Sequence, residues 1–327
     1  MPSRKIEQQL EKLSGLRAHA PDPETFAALR KALADPVNVV VAKAARIIAD
    51  LGLQSLLPGL LSAFHRLFEN PKQTDPQCWG KNALAKALKD LGHAGSQEFL
   101  RGLNHVQMEP VWGGQEDTAT VLRSTCALAL VQCTDITRQA VMRHLVDAFA
   151  DETATVRAEI ARALEQMQGE EACLLLRLKA LLGDEEPGVT GQALESLLRI
   201  EHAAAVPFVA DFLPLAGEIA EEAALALGAS RLPAALDVLK QTWTDARILV
   251  PEDVLLRAIS SSRQESAIEF LLNIVRTGRE HEAIAALAAL ELHRASAEIR
   301  GQIAAAVESR NEPGIREQFR RGFGLSA

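Results

Sequence analysis

Residues 151–169, DETATVRAEIARALEQMQG, contain the pattern that decides the fold. An Asp opens the segment, a Val/Arg pair follows five and six residues later, and an Ala-rich apolar stripe completes it. Residues 35–52, DPVNVVVAKAARIIADLG, match the same pattern, and further copies begin at Asp75, Asp117 and Asp184. Successive copies start 40, 42, 34 and 33 residues apart. A period of this length predicts stacked helical units rather than a single globular core.

The composition agrees with helices and excludes an all-β fold. Apolar residues make up 48% of the 327 residues, whereas aromatic residues make up only 4% and Tyr is absent. The apolar residues are mainly Ala and Leu, which favour helices and allow them to pack closely. An all-β chain would need far more Val, Ile, Thr and Tyr.

Turn signals divide the chain into pairs of helices. Asp35-Pro36 has the form of a helix start, in which an Asp N-cap precedes Pro at the first helical position. Three second helices have Pro in their first turn, where its missing N–H costs no hydrogen bond, namely Pro58, Pro207 and Pro233. The predicted helices span 4–16, 23–34, 36–51, 55–69, 76–91, 96–103, 117–132, 136–150, 152–167, 170–182, 185–199, 203–213, 216–228, 232–243, 251–260, 264–277, 280–292, 296–309 and 313–322.

These segments resemble HEAT repeats, particularly the bacterial type called PBS-lyase HEAT-like, whose pattern is approximately D-x4-V-R-x2-A-A-x-A-L-x2-L-G. Residues 35–52 and 151–169 fit this pattern well, whereas residues after 214 fit it weakly. The resemblance implies an all-α fold, a right-handed α-α superhelix of the HEAT/armadillo type with about nine helical hairpins. It also implies that second helices line the inner curve, and that the usual role is to bind proteins.

We expect the chain to form one solenoid domain, because each repeat contacts only its neighbours and the core grows along one axis. Its expected parts are a capping hairpin over 1–34, well-patterned repeats over 35–213 with an insertion at 103–116, diverged repeats over 214–311, and a basic helix and tail over 312–327.

Three repeats keep both the Asp and a cation six residues later, as HEAT-type ladders do, namely Asp75/Lys81, Asp117/Arg123 and Asp151/Arg157. We expect each Asp to bind amides at a helix start and each cation to reach an Asp of a neighbouring repeat. Asp35 is followed by Val41 and Asp184 by Thr190, so this Asp/Arg ladder should stop at both ends. Its role is structural rather than catalytic.

The most irregular segment is 103–116, LNHVQMEPVWGGQE, where Trp112 stands beside two glycines. Insertions in the turns of a solenoid often mark a binding edge. One interpretation has Trp112 fold back over the seam between repeats and fill a gap in the core, because large aromatic side chains are usually buried. The other makes Trp112 an anchor for a partner, with His105, Met108 and Glu109 around it.

A second candidate surface is a basic strip on the second helices. Its members are His65, Arg66, Arg101, Arg138, Arg143 and His144. Such a strip would suit an acidic peptide or a phosphate-bearing ligand. The competing interpretation is an ordinary solvated polar face.

The acidic residues are unevenly distributed. Residues 151–230 contain fifteen acidic and five basic side chains, which accounts for the surplus behind the formal net charge of -8. Acidic residues in first helical turns are favoured by the helix dipole, so this block is interpreted as a solvated face. A docking patch for a basic partner is the alternative.

No residue cluster indicates a cofactor, a metal or a membrane span. The four Cys lie in helical patterns without a CxxC pair, and the eight His form no zinc-type motif. HEAT-like hydroxylases that hold two irons use four His-Glu pairs, and this chain has only His281-Glu282. The start has no apolar leader and no stretch is long enough for a bilayer, so a cytoplasmic protein is expected.

The sequence therefore favours a non-catalytic scaffold or adaptor that binds an unidentified protein or peptide along the inner face and the 103–116 edge. An enzyme subunit of the phycobilin-lyase type is the first alternative. A HEAT-like DNA glycosylase or other nucleic-acid binder is the second, but the negative charge and the scattered Trp residues argue against it. The oligomeric state is left open.

Overall fold

The computed structural model describes residues 2–18, 22–215, 217–245 and 249–324. The α-helices are α1 Pro2–Gly15, α2 Pro23–Leu33, α3 Asn38–Asp50, α4 Leu57–Arg66, α5 Pro71–Thr74, α6 Trp79–Asp90, α7 Ser96–Leu103, α8 Thr120–Leu130, α9 Arg138–Ala148, α10 Ala154–Met167, α11 Glu170–Leu182, α12 Pro187–Glu201, α13 Val206–Ala210, α14 Glu218–Ser230, α15 Pro233–Thr244, α16 Glu252–Ser261, α17 Glu265–Thr277, α18 Glu280–Leu290, α19 Ala297–Glu308 and α20 Pro313–Phe323. Short 3-10 turns span Leu16–Ala18, Gln54–Leu56, Pro76–Cys78, His202–Ala205 and Glu291–His293. Two strands, β1 Met108–Val111 and β2 Gly114–Asp117, form one antiparallel hairpin.

The chain forms two compact units, residues 1–167 and 168–327. In the first unit, helices α3, α6, α8 and α10 stack in chain order. The intervening second helices pack against the first helix of the following repeat, with α4 on α6, α7 on α8 and α9 on α10. Each repeat therefore covers the apolar side of the next.

The second unit repeats this arrangement. Helices α12, α14, α16, α18 and α20 stack in chain order. The second helices α11, α13, α15, α17 and α19 each pack on the first helix that follows them. Within the second unit, stacking therefore occurs where the repeat pattern is weakest.

The prediction of an all-α fold built from stacked helical hairpins is confirmed. Four hairpins precede α10 in the first unit, and four follow α11 in the second. Gly52 and Gly92 lie in the turns that follow α3 and α6, as expected, and their φ angles of 63° and 71° favour glycine. The predicted helix 203–213 is instead a 3-10 turn followed by the short α13, which begins at Val206 and has Pro207 in its first turn. The last three residues of the predicted tail, 325–327, lie outside the described residues.

The prediction that Asp35 is a helix N-cap is wrong. Helix α3 begins at Asn38, and Asp35 instead accepts a hydrogen bond from the Val37 amide at 2.8 Å. Asp151 likewise accepts from the Thr153 amide at 2.8 Å, just before α10. An Asp side chain readily bonds the backbone two residues later, so it forms a local turn that leads into the helix.

Ala, Leu, Val and Ile fill the interior of both units. Four free cysteines are present, of which Cys78, Cys126 and Cys173 are buried. Burial raises the pKa of the Cys78 thiol to about 12, so this thiol stays protonated at neutral pH. Among the described helices, none combines the length and apolar character needed to cross a bilayer.

Candidate partner-binding site

The insertion predicted at 103–116 forms a β-hairpin that begins shortly after α7. Val111 faces Gly114 across the turn, and Met108 faces Asp117 at the open end. The turn itself is Trp112-Gly113, and Gly113 has a φ of 94° that favours glycine. A two-residue turn ending in Gly is a known hairpin signal, so Trp112-Gly113 is the feature of the sequence that indicates this hairpin.

Trp112 lies at the tip of this hairpin and is fully exposed, with a relative accessibility of 102%. The interpretation that it folds back over a seam between repeats is therefore wrong. Val106, Met108 and Val111 on the same segment are also exposed. Trp79 is half-exposed and lies two residues after Gln77, whose amide bonds Glu109 of the hairpin. Five exposed apolar or aromatic side chains therefore lie in and next to this insertion.

The base of the hairpin is held by Gln107, which is buried. Its amide nitrogen donates to the Asp75 carbonyl at 2.8 Å. Its amide oxygen accepts from Lys81 Nζ at 2.8 Å. Sequence reasoning missed Gln107, because it belongs to an insertion that has no counterpart in the other repeats.

Glu109 is the second anchor of the base and is buried. The prediction that it shares an exposed surface with Trp112 is therefore wrong. It accepts hydrogen bonds from the Gln77 amide at 2.7 Å and the Thr118 hydroxyl at 2.9 Å. Burial alone would raise the pKa of Glu109, but the bonds from Gln107, Thr118 and Gln77 outweigh it and lower the pKa below its ordinary value. The carboxylate therefore stays charged at neutral pH and holds the base closed.

His105 also belongs to the base rather than to the exposed tip. Its Nε2 lies 3.1 Å from Gln107 Oε1, and its ring packs edge-on against Phe68 with centroids 4.8 Å apart. Burial lowers the pKa of His105, which favours a neutral imidazole at neutral pH. Of the four predicted residues of this segment, the structure exposes Trp112 and Met108 and turns His105 and Glu109 inward.

Lys81 and Asp75, the first pair of the Asp/Arg ladder, lie under the hairpin and are both fully buried. Lys81 Nζ is 3.2 Å from Asp75 Oδ2. Asn38 of the preceding repeat donates to Asp75 Oδ1 at 2.8 Å. The second side-chain partner of Lys81 is Gln107 rather than an Asp of the next repeat. The insertion therefore replaces one contact of the ladder with its own glutamine.

Arg123 spans two repeats. Its guanidinium bonds Asp117 of its own repeat and lies 2.7 Å from Asp151 of the next. It also donates to the His105 carbonyl at 2.9 Å, which ties it to the hairpin. Arg157, the third cation of the ladder, donates to the backbone carbonyl of Asp151 at 2.7 Å.

The predicted basic strip does not form one continuous basic surface. Arg66 donates hydrogen bonds to the backbone carbonyls of Leu33 and Asp35, at 2.8 and 3.2 Å. Arg138 likewise donates to the Met167 carbonyl at 2.6 Å. Arginines that satisfy carbonyls at helix ends serve the fold.

The rest of the strip is also mixed in character. His65 lies 3.0 Å from the buried Glu98, and Arg101 stacks 4.3 Å from the centre of the Phe68 ring. Burial alone would raise the pKa of Glu98, but hydrogen bonds with His93 and His65 lower it, so a carboxylate sits inside the strip. His144 lines a cleft beside the carboxylates of Asp147 and Asp151, while Arg143 is exposed. This arrangement gives weaker support for an anionic ligand than the sequence suggested.

One group elsewhere has donor atoms near one another, namely Glu252, His281 and Glu282. Glu252 and His281 are exposed, and Glu282 already accepts hydrogen bonds from Arg279 at 2.6 and 2.9 Å. The arrangement satisfies a helix start at α18, so it has a structural explanation.

Comparison with known proteins adds little. The chain matches no protein-family model. It also matches no curated protein. Among solved structures it is similar to human deoxyhypusine hydroxylase in complex with glycerol, with 21% sequence identity and a TM-score of 0.29, over 81% of this chain and 90% of that one. A TM-score of that size carries no argument about activity.

Proposed function

We propose that this protein is a HEAT-type, non-catalytic scaffold that binds a partner protein through the tip of the 108–117 hairpin. The exposed indole of Trp112 carries the proposal. Isolated exposed apolar residues are ordinary, but a fully exposed Trp beside exposed Val111 and Met108 marks an interaction surface. Trp is also among the residues that contribute most to binding energy at protein interfaces.

The architecture of the base supports this role. Gln107 accepts a buried hydrogen bond from Lys81 of α6, and Glu109 accepts a hydrogen bond from the Gln77 amide just before α6, so both residues hold the strands to the helices. A loop held in its binding conformation loses less entropy when a partner binds. A rigid base under an apolar tip is therefore what an interface anchor requires.

The charge of the insertion favours protein over nucleic acid as the partner. Residues 102–122 contain Glu109, Glu116 and Asp117 and no Lys or Arg. Binding to nucleic acid depends on clustered cations that displace counterions from phosphates. The proposal includes a reducing compartment such as the cytoplasm, which suits free and mostly buried cysteines.

The test is photo-crosslinking in extracts of the cells that make the protein. A photoreactive amino acid replaces Trp112 in one version and Val121 in another. Val121 is a suitable control because it is exposed on α8, outside the hairpin. We expect one protein to be crosslinked from position 112 and not from position 121.

The identified partner is then bound to purified protein. We expect Trp112→Ala to weaken the affinity by about 30-fold, as removal of an interface anchor worth about 2 kcal/mol would do. Val121→Ala should leave the affinity unchanged. Equal crosslinking from both positions, or equal affinity of the Trp112→Ala variant, would contradict the proposal.

A further inference from the structure

Helix α11 exposes a stripe of four leucines. Leu174, Leu178, Leu181 and Leu182 have relative accessibilities between 51% and 76%. Because they are spaced at i, i+4, i+7 and i+8, they lie on one face of the helix. The opposite face is already buried through Ala172, Cys173, Leu176 and Ala180. The leucine stripe is therefore additional to the side of α11 that the fold uses.

Helix α17 shows that the fold does not require this stripe. Both helices are second helices of 13 residues, and three of the four buried positions of α11 are also buried in α17 when 95 is added to the α11 number. Ala172, Leu176 and Ala180 correspond in this way to Ala267, Leu271 and Val275. The exposed positions 174, 178 and 181 correspond to Glu269, Asn273 and Arg276, which are all polar and exposed.

Exposed carboxylates lie beyond both ends of the stripe. Glu170 precedes the leucines, and Glu185 and Glu186 follow them. The two cations on the helix already have acidic partners. Arg177 binds Glu201, and Lys179 lies 2.6 Å from Asp184. This part of the chain is the acidic block in which fifteen acidic side chains face only five basic ones.

We propose that the exposed face of α11 binds a basic amphipathic helix of a partner protein. Apolar residues at i, i+3 or i+4 and i+7 of that helix would pack on the leucines. Lys or Arg at its two ends would pair with Glu170 and with Glu185 and Glu186. The stripe covers eight residue steps, or about 12 Å along the helix axis, which matches two to three turns of a partner.

The carboxylates around the stripe favour a basic helix over a second copy of the chain and over an anionic membrane. A second copy of the chain would bring acidic ends together in either orientation, because both ends of the stripe carry carboxylates. An anionic membrane surface would repel the same carboxylates. A basic helix satisfies the leucines and the acidic ends together.

The test uses a fluorescent 18-residue peptide of Leu and Lys, with the leucines at helical spacing on one face, and measures binding by anisotropy. The chain variant Leu178→Asn/Leu181→Arg copies the residues of α17 at the matched positions. We expect this variant to bind the peptide at least tenfold more weakly than the wild type. We also expect Glu185→Lys/Glu186→Lys to weaken binding and to reduce its dependence on salt.

Three controls make the result specific. A Leu/Glu peptide of the same pattern should not bind. Asn273→Ala on α17 should leave affinity unchanged, because it alters an exposed position of the matched helix. All variants should have the same melting temperature as the wild type, because each substitution is at an exposed position.

Equal binding by the Leu178→Asn/Leu181→Arg variant would overturn the proposal, as would equal binding of the acidic peptide. A third result would also overturn the proposal: a wild-type dimer in sedimentation that the Leu178→Asn/Leu181→Arg variant abolishes. The stripe would then bind a second copy of the chain. The outcome is independent of the hairpin, since Trp112 and the base residues are unchanged in every variant.

Discussion

The two units stack the same kind of helical hairpin but bury different residues. In residues 1–167, the fully or largely buried residues include the charged groups Asp75, Lys81, Glu98, Glu109 and Arg123. In the described part of 168–327, the buried polar residues are uncharged, as at Thr190 and Ser260. Asp184 departs from this contrast, because its side chain is only 3% exposed and is paired with Lys179.

The second unit relies on small residues where the first relies on charges. Helix α14 is rich in Ala, and a Cβ placed on Gly228 would collide with the backbone oxygen of Ala258 in α16. Ser260 links α16 to the next repeat by donating to the Ala289 carbonyl at 2.7 Å. Close approach of backbones thus supports stacking within the second unit, where the Asp/Arg pattern is lost. The comparison teaches that the ladder is one way to join repeats rather than a requirement for stacking.

The largest expected effect is that of Lys81→Ala. The substitution leaves the Asp75 carboxylate buried without its cation, so we expect the free energy of unfolding to fall by about 3–5 kcal/mol. Chemical denaturation measures the change. Lys86→Ala is the matched control on the same helix, where the exposed pair with Asp90 should contribute about 0.5 kcal/mol or less. A loss at Lys81 no greater than that at Lys86 would show that the buried charges do not hold the first unit.

For the second unit, Gly228→Ala should cost about 1–3 kcal/mol, because its methyl group meets backbone that cannot move aside. Gly301→Ala is the control, since nothing lies within 4 Å of a Cβ added in that helix. We expect the control to stabilise the protein by about 0.5–1 kcal/mol, because Ala is the better helix former. Thermal melts of the two variants should therefore shift in opposite directions, and parallel shifts would contradict the close-packing account.

A smaller effect of about 1–2 kcal/mol is expected for Glu109→Gln, which removes a charged acceptor from the hairpin base. Since the folded pKa of Glu109 is below its ordinary value of 4.5, its charged form stabilises the fold above about pH 4.5. That contribution is lost as the pH falls through the folded pKa. The difference in unfolding free energy between wild type and variant should therefore shrink as the pH is lowered from 7 to below the ordinary pKa of 4.5, and a constant difference would argue against a role for the charge.

The smallest predicted change has the opposite sign. Thr190 occupies the position where the ladder has a cation, and its hydroxyl is buried with no hydrogen-bond partner among the described residues. Thr190→Val removes the unsatisfied hydroxyl, so we expect stabilisation of about 1 kcal/mol. Denaturation of this variant sharpens the comparison, because a loss of stability would mean that the second unit also needs a polar group at this position.

The helices could be predicted from the sequence because Ala and Leu recur with helical spacing and because Gly and Pro mark the turns. The prediction for 170–182 matches α11 at both ends. Two Glu residues mark the start of this helix, and Gly183 followed by an Asp marks its end. Helix starts were less accurate near Asp35, because an Asp that caps a helix and an Asp that forms a turn before it have the same sequence signature.

The site was only partly predictable. Trp112 could be singled out by residue type and by its glycine neighbours, but its exposure depends on the direction in which the hairpin projects. Gln107 could not be found, because an uncharged residue in an insertion carries no periodic signal. The leucine stripe of α11 was missed for a physical reason too, since apolar residues on both faces of a helix usually indicate full burial.

The most direct test of the ladder is a double-mutant cycle on Arg123 and Asp151, the pair that crosses from one repeat to the next. Asp151 also bonds the Thr153 amide, and the cycle removes that contribution from the result. The account predicts a coupling free energy of at least about 1 kcal/mol, against about 0.5 kcal/mol or less for the exposed pair Lys86 and Asp90. A coupling for Arg123 and Asp151 no larger than that of the exposed pair would contradict the claim that buried charges join the repeats of the first unit.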